Sequence, residues 1–293
     1  MNVIGIQFLK KSISVVFYDK NRLTGRTISS EQIIDESDYA LYLNNIFEQL
    51  NIHKNTKYRV VISLPTELVE VFTLKQLVPI TKKIFNPKTK QNLIMGQIES
   101  TLEKNTHEYE IEYEIIDEKQ LYNNKMLATI LCIKVEDAIR FINKVNSFKN
   151  MTTIAIDTEY EALRRLIPHG YIDVAIINFF TEDKNMIGIY MYKGFKLIGL
   201  RYLYKELYDT DSIVSEIERM DTYCKTFYRD FDIERWFVFG DKEETAEIIM
   251  NENVQEHELS NCSYAVAAGL AIKEEHEKKR IKDKKGGAGK NGI

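Results

Sequence analysis

The chain lacks most of the groups by which a function is quickly pinned. Its 293 residues include three cysteines and five histidines. Cys132, Cys224 and Cys262 are far apart, odd in number and never in a paired short spacing, which disfavours both a disulfide framework and a zinc site. They read as small core residues. His53, His107, His169, His257 and His276 have neither the clustered nor the i, i+4 spacing that metal ligation on one helix face requires. Neither sign of charge dominates. Forty Lys and Arg against 44 Asp and Glu give a net charge of −4, so the basic footprint of a nucleic-acid binder is missing. Long apolar runs are missing too: Val60 to Leu64 and Ala265 to Ile272 fall well short of the roughly 20 residues that cross a bilayer. No basic leader with a cleavage site precedes the strand-like Met1 to Ile6, so a cytosolic chain is expected. No Gly-x-Ser-x-Gly elbow occurs, and no cysteine sits in the basic or helix-start context that activates a thiol.

What is present is pattern. Three short β-branched and aromatic segments, Val3 to Leu9, Ser12 to Tyr18 and Leu23 to Ile28, follow one another closely. Helical spacing of Tyr39, Leu43, Ile46, Phe47 and Leu50 comes next, and then the buried-looking strand Tyr58 to Leu64. The same β-β-β-α-β order returns. Ile172 to Phe179, Met186 to Tyr192 and Phe195 to Tyr202 precede a helix through Ile213, Ile217, Met220, Cys224 and Phe227, and Arg235 to Phe239 closes the unit. Such a repeat predicts a duplicated α/β lobe, with residues 1–72 and 151–170 in the first lobe and 171–277 in the second. Residues 73–150 read as an inserted α+β subdomain of α-β-β-α order. In it Tyr109, Ile111, Tyr113 and Ile115 alternate with Glu108, Glu110, Glu112 and Glu114, with Asp117 and Glu118 beyond. Residues 278–293 mix Lys and Gly without apolar periodicity and read as a disordered basic tail.

Paired lobes of this order resemble the actin-like, ribonuclease-H-like group, in which nucleotide binds between the lobes. That chemistry needs two hairpin turns whose glycines admit phosphates and whose aspartates hold magnesium. The turns here begin Gly5-Ile6-Gln7-Phe8 and Ile177-Asn178-Phe179-Phe180. Gln7 and Asn178 stand where carboxylates are wanted, and the phenylalanines add bulk where backbone must lie bare. Lys10, Lys11 and Asp183 are the remaining phosphate or metal candidates, with Gly240 in the loop Phe239-Gly240-Asp241-Lys242 where base and ribose would rest.

Several strings in order sharpen the resemblance: Val3-Ile4-Gly5-Ile6, Ser63-Leu64-Pro65, Ile156-Asp157 before Glu161-Ala162-Leu163, Glu218-Arg219-Met220 with Tyr223, Phe239-Gly240, and Ala265 to Ala271. Together they are similar to the PilM family of type IV pilus assembly proteins, with the cytoplasmic domain of GspL-type secretion proteins and the bundle-forming-pilus homologue as kin. The resemblance implies a scaffold under the inner membrane, which contacts inner-membrane assembly proteins and the pilus or secretion ATPase and is able to form a homo-oligomer. It also exposes departures. Of the family's first phosphate turn only Gly5 and Lys10 or Lys11 survive, and both key residues of the second have changed. The expectation is therefore a non-enzymatic docking platform without cofactor. The alternative is an actin-like protein that binds ATP with magnesium and hydrolyses it slowly through Asp157, Asp183 and Lys11. A sugar or acetate kinase is weaker still, for want of a Gly-rich turn. Glu108, Glu110, Glu112 and Glu114 form the candidate docking surface for a basic partner, against the reading of a solubilising edge strand. Residues Lys273 to Lys285, with seven basic residues against four acidic, would suit an anionic lipid surface or the flank of a membrane segment that follows.

Overall fold

The first strand, β1 (Val3–Phe8), is apolar on both faces apart from Gly5 and Gln7 and is buried along its whole length, as a strand covered on both sides must be. It lies at the centre of a five-stranded sheet. Antiparallel to it run β2 (Ser12–Asp19) and then β3 (Arg22–Ser29); parallel to it run β4 (Tyr58–Ser63) and then β8 (Met151–Ile156), in the order β3-β2-β1-β4-β8. A second sheet repeats the plan. It comprises β9 (Asp173–Asn178), β10 (Met186–Lys193), β11 (Lys196–Tyr204), β12 (Arg235–Phe239) and β13 (Val254–Glu256), ordered β11-β10-β9-β12-β13. The computed structural model describes residues 2–9, 12–19, 22–29, 38–78, 87–105, 107–122, 125–167, 170–178, 186–204, 207, 209–228, 230–239, 254–256 and 264–278.

Helices cover the outer faces. Ile4, Ile6 and Phe8 point from β1 into a core shared with α1 (Tyr39–Gln49) and α3 (Val135–Asn146), where the Phe8 and Phe141 rings lie 5.0 Å apart. In the second lobe α5 (Thr210–Phe227) presents Ile213, Ile217, Met220 and Cys224 to Ile187, Ile189 and Met191 of β10. Its start is fixed by Asp209, whose carboxylate accepts from the Ser212 amide at 2.9 Å.

Between the sheets lie two short helices, α4 (Glu159–Leu166) and α6 (Ala265–Ala271), in contact with each other. Val3 and Val61 of the first lobe, Val174, Ile176, Tyr190 and Phe237 of the second, and Leu163 and Leu270 of the helices share one buried cluster. Small residues make this close approach feasible. A side chain on Gly5 would meet the Ala267 carbonyl at 2.0 Å, and one on Gly269 would meet the Ala162 carbonyl at 2.0 Å.

The third sheet is small: β5 (Val69–Leu77), β7 (Lys125–Lys134) and β6 (Tyr109–Tyr122), ordered β5-β7-β6, with α2 (Pro87–Leu102) covering one face through Ile94 and Ile98. Three assignments differ from those the sequence suggests. A strand at β5 was not expected, because apolar side chains leave both of its faces: Val69 and Val71 pack against the lobes, Phe72 and Leu74 against the α2 side. Helix α3 does not belong to the inserted unit but packs on the first lobe, where Phe141 completes a cluster of three rings with Phe8 and Tyr39. The last helix, α6, assigned by position to the second lobe, lies against β1, β2 and β4 of the first. The insertion proper is therefore β5-α2-β6-β7.

Candidate functional site

At the end of β8, Asp157 is held from every side. Its amide donates to the Ile62 carbonyl at 2.8 Å, and its Oδ1 accepts from the Thr158 amide at 2.9 Å. Its Oδ2 lies 2.6 Å from Arg165 and 3.0 Å from Lys273, and only 1% of the side chain is exposed. Burial alone would raise its pKa; the hydrogen bond from Glu161 and the charges of Arg165 and Lys273 outweigh this and hold it down at about 2. Asp157 is thus an anion whose partners are all supplied from within the chain, joining β8, α4 and the helical residues after α6.

Thr158 caps α4, its hydroxyl accepting from the Glu161 amide at 3.3 Å, and the Thr158-x-x-Glu161 spacing is that of a capping box. Burial, then the hydrogen bond and like charge of Asp157, push the Glu161 carboxyl up to about 8, although the residue as a whole is exposed on the wall of a cavity. Of the two carboxyls Glu161 is the one that carries the proton near neutrality. Next to it Glu159 accepts from the Tyr190 hydroxyl at 2.7 Å, and the Tyr192 hydroxyl donates to the Tyr160 carbonyl at 2.5 Å. Tyr190 and Tyr192 stand two apart on β10 and therefore on one face, which is how one strand grips the first turn of α4 twice. Arg164, at the other end of α4, donates to the carbonyls of Gly194 and Tyr171 and lies over the Phe195 ring at 4.5 Å.

The candidates for the nucleotide cleft fall out as follows. Gln7 is buried, with 4% exposure, on the interlobe face of β1, its register partners being Ser14 of β2 and Ser63 of β4. Asn178 ends β9, in register with Gly188 and Phe239. The two amides thus stand near corresponding strand ends of the two sheets. Gly5, expected to serve a phosphate turn, sits within β1 and is occupied by the approach of α6. Lys10, Lys11, Asp183 and Gly240 lie outside the described residues, as do Cys262 and the tail beyond Lys278. Cys132 and Cys224 are buried thiols that burial pushes up to about 11 and about 12, in keeping with core roles.

The glutamates of β6 alternate as expected, with Tyr109, Ile111, Tyr113 and Ile115 on the α2 side. Their own face, however, is turned toward the two lobes. Glu112 and Glu114 form one wall of a cavity of about 250 Å³ whose other walls are Tyr160 and Glu161 of α4 and Phe195 and Leu197 of the β10–β11 hairpin. Glu110 is exposed on the same face, in register with Ile133, while Glu108 precedes the strand and its carbonyl accepts from the Val135 amide. Asp117 is in register with Leu127, and Asp117 and Glu118 continue the strand. Two contacts tie this sheet to the second lobe: the Thr129 hydroxyl donates to the Leu197 carbonyl at 2.8 Å, and the Lys196 ammonium donates to the Ile115 carbonyl. Tyr160, Glu161 and Phe195 were not foreseen as site residues. The capping box was the one legible signal for Glu161; nothing local marks Phe195.

No family model matches the chain, and no curated protein matches it. In three dimensions it is similar to a chain of the PilM-PilN type IV pilus biogenesis complex, at 11% identity over 93% of this chain and 98% of that one, with a TM-score of 0.65. It is also similar to the cytoplasmic domain of EpsL, an inner membrane component of the type II secretion system of Vibrio cholerae, at 5% identity over 93% and 95% of the two chains, with a TM-score of 0.51. The likeness is one of fold. The chain has the twin-lobed actin-like architecture of the PilM and GspL-type proteins, and the resemblance read from its sequence reappears in the course of its backbone.

Proposed function

We propose that the chain is a non-enzymatic, actin-like scaffold of a type IV pilus or type II secretion assembly platform, working at the cytoplasmic face of an inner membrane. It docks the tail of a membrane assembly protein, the secretion ATPase, or both. The observation that carries this is the end-to-end likeness to a chain of the PilM-PilN complex, in which almost the whole of both chains takes part. Two features of the cleft weigh on the side of a platform and against MgATP, the ligand that the actin-like fold implies. Gln7 is a neutral amide, and Asp157 is saturated by Arg165 and Lys273, so neither offers magnesium a free carboxylate. The docking surface is the acidic wall at Glu110, Glu112 and Glu114, which suits a basic segment laid between the inserted sheet and the lobes. No helix among the described residues is long and apolar enough to cross a membrane, so attachment runs through that partner or a segment outside them.

Isothermal titration calorimetry with MgATP tests the absence of a nucleotide. No heat of binding is expected, and a dissociation constant in the low micromolar range, on the order of −8 kcal/mol, overturns the platform reading in favour of an ATP-binding protein. Reversal of Glu110 and Glu112 to lysine tests the surface. Retention of the secretion ATPase in a pull-down should fall while the melting temperature stays unchanged; undiminished retention removes this wall from the interface.

A further inference from the structure

A second cavity, of about 340 Å³, opens at the other edge of the inserted sheet, and its shape says what fits it. It lies on the same face as the acidic wall, since Thr73 and Glu114 are both in register with Thr129. Four consecutive residues of β11, Ile198 to Arg201, line it. Leu200 leaves the face opposite to that of Gly199 and Arg201, so a hollow that touches all three reaches the edge of the strand and does not lie over one face alone. β11 is the outermost strand of its sheet, and across the hollow stands Thr73 of β5, the outermost strand of the inserted sheet. The hollow is a slot between two edge strands, and edge strands carry backbone donors and acceptors that an added strand can take up.

The side chains select the added strand. A register shift opposite Met191 and Tyr192 makes Ile198 an extra residue of β11, so Ile198 and Gly199 both face α5. At Gly199 the strand lies close against α5: a side chain there would stand 3.3 Å from the Sγ of Cys224 and the Cε of Met220, so these two and Tyr223 make the wall of the slot. The floor at this point is apolar and buried. Two residues on, and so on the same face, Arg201 is exposed and has no ion-pair partner among the described residues. The other guanidinium of the slot, Arg219, is paired at 2.5 Å with the one carboxylate there, Glu216. One uncompensated positive charge therefore stands two residues from an apolar stretch of the wall. Toward the start of β11 the slot is closed, because the Leu197 carbonyl is already taken by Thr129.

We propose that this slot binds an extended segment of a partner protein which pairs with the edge of β11 at Ile198 to Arg201. The segment places an apolar side chain over Gly199 and, two residues away, a carboxylate on Arg201. The inference concerns a surface apart from the acidic wall and stands whether or not the chain serves a pilus.

Fluorescence anisotropy tests it with two labelled heptapeptides of threonine that carry isoleucine and glutamate two residues apart, one in each order, since either strand direction fits. One of the two should bind. Replacing its glutamate by lysine should weaken it by about tenfold, the size of one lost charge contact at a partly exposed site. Arg201→Glu should reverse that preference, and Thr73→Trp, a change at an exposed position, should block both peptides without altering the melting temperature. The proposal is overturned if neither peptide binds below a dissociation constant on the order of 1 mM, or if Arg201→Glu leaves the preference as it was. It is also overturned if sedimentation velocity shows that the unlabelled protein self-associates and that Thr73→Trp abolishes this, since the slot then belongs to a second copy of the chain.

Discussion

The molecule is joined along two seams of opposite character. Between the lobes, α4 and α6 are pressed together by glycine and alanine and pinned by a carboxylate buried among cations. Between the lobes and the inserted sheet the polar links include Thr129 to Leu197, Lys196 to Ile115 and Val135 to Glu108, and cavities open beside the first two. Packing at backbone contact tolerates no displacement, because each shift opens a void or a clash. A seam held by scattered hydrogen bonds and a few apolar contacts, Val69, Val71 and Leu131 among them, with hollows beside it can take up another chain. The close-packed seam keeps the two lobes as one body, and the loose one supplies both surfaces proposed here for partners.

The sharpest way to break that contrast is Gly269→Val. Its new side chain would stand 2.0 Å from the Ala162 carbonyl, a backbone atom that cannot turn aside. A loss above about 4 kcal/mol is expected, seen as insolubility or a melting temperature lower by roughly 10 °C or more. The control is Gly96→Ala on α2, where a new side chain meets nothing within 4 Å. That change should stabilise by up to about 1 kcal/mol through helix propensity. Equal effects at the two glycines would contradict the close-packed seam.

Asp157→Asn comes next. It leaves Arg165 and Lys273 facing a neutral amide, at a site where the carboxylate is 1% exposed. Removing one member of a buried ion group costs about 3 kcal/mol, read as a lower urea midpoint at neutral pH. The native Asp157 pKa lies below its unfolded value of 3.8, at about 2. Its contribution is therefore complete above the unfolded value and is lost as pH falls between the two, and the variant should lack that acid limb. A third change probes the loose seam. Thr129→Val keeps the shape and removes the donor to Leu197. A loss of about 1 kcal/mol is expected, with faster amide exchange confined to β5, β6 and β7. Exchange that quickened equally in both lobes would mean that the inserted sheet is as tightly coupled as the lobes are.

The two seams were unequally legible in the sequence. Strands β1, β4, β10 and β12 stood out because burial on both faces demands uninterrupted apolar runs, and the repeated order of elements then fixed both lobes. The alternation of glutamate with tyrosine and isoleucine on β6 was equally plain. Which way the glutamates face was not, since that depends on β5, whose two apolar faces blur its period, and on α3. The apolar stripe of α3, Ala138, Phe141 and Val145, declares a helix without naming the sheet it covers. Gly5 and Gly269 were visible in strings that resemble a family, but the need for glycine comes from helix backbones brought close only by folding. Asp157 read as a residue of the alternative, slowly hydrolytic site because its partner Lys273 lies 116 residues away. The edge-strand slot had no local signal, as it joins residues from β5, β11 and α5.

The smallest effect is the most specific to how the two seams meet. Glu161 belongs to both: its amide and carboxyl engage Thr158 at the buried end of α4, and its exposed side lines the cavity under the inserted sheet. Its pKa is raised in the folded chain, from 4.5 to about 8, by burial and by Asp157. The folded state therefore holds a proton that the unfolded state has released, and stability is greatest below the unfolded value and declines as pH rises through that interval. Glu161→Gln keeps a hydrogen-bonding group of the same size without the proton. It should remove the decline and stabilise the protein at pH 8 by no more than about 1 kcal/mol, because solvent in the cavity screens much of the repulsion. Urea midpoints at pH 5 and pH 8 decide the point: they should converge in the variant and differ in the native chain. A basic segment docked on Glu112 and Glu114 would add positive charge to the same cavity and lower the Glu161 pKa. The native difference between the two pH values should then shrink when the partner is bound, whereas a partner docked elsewhere would leave it intact.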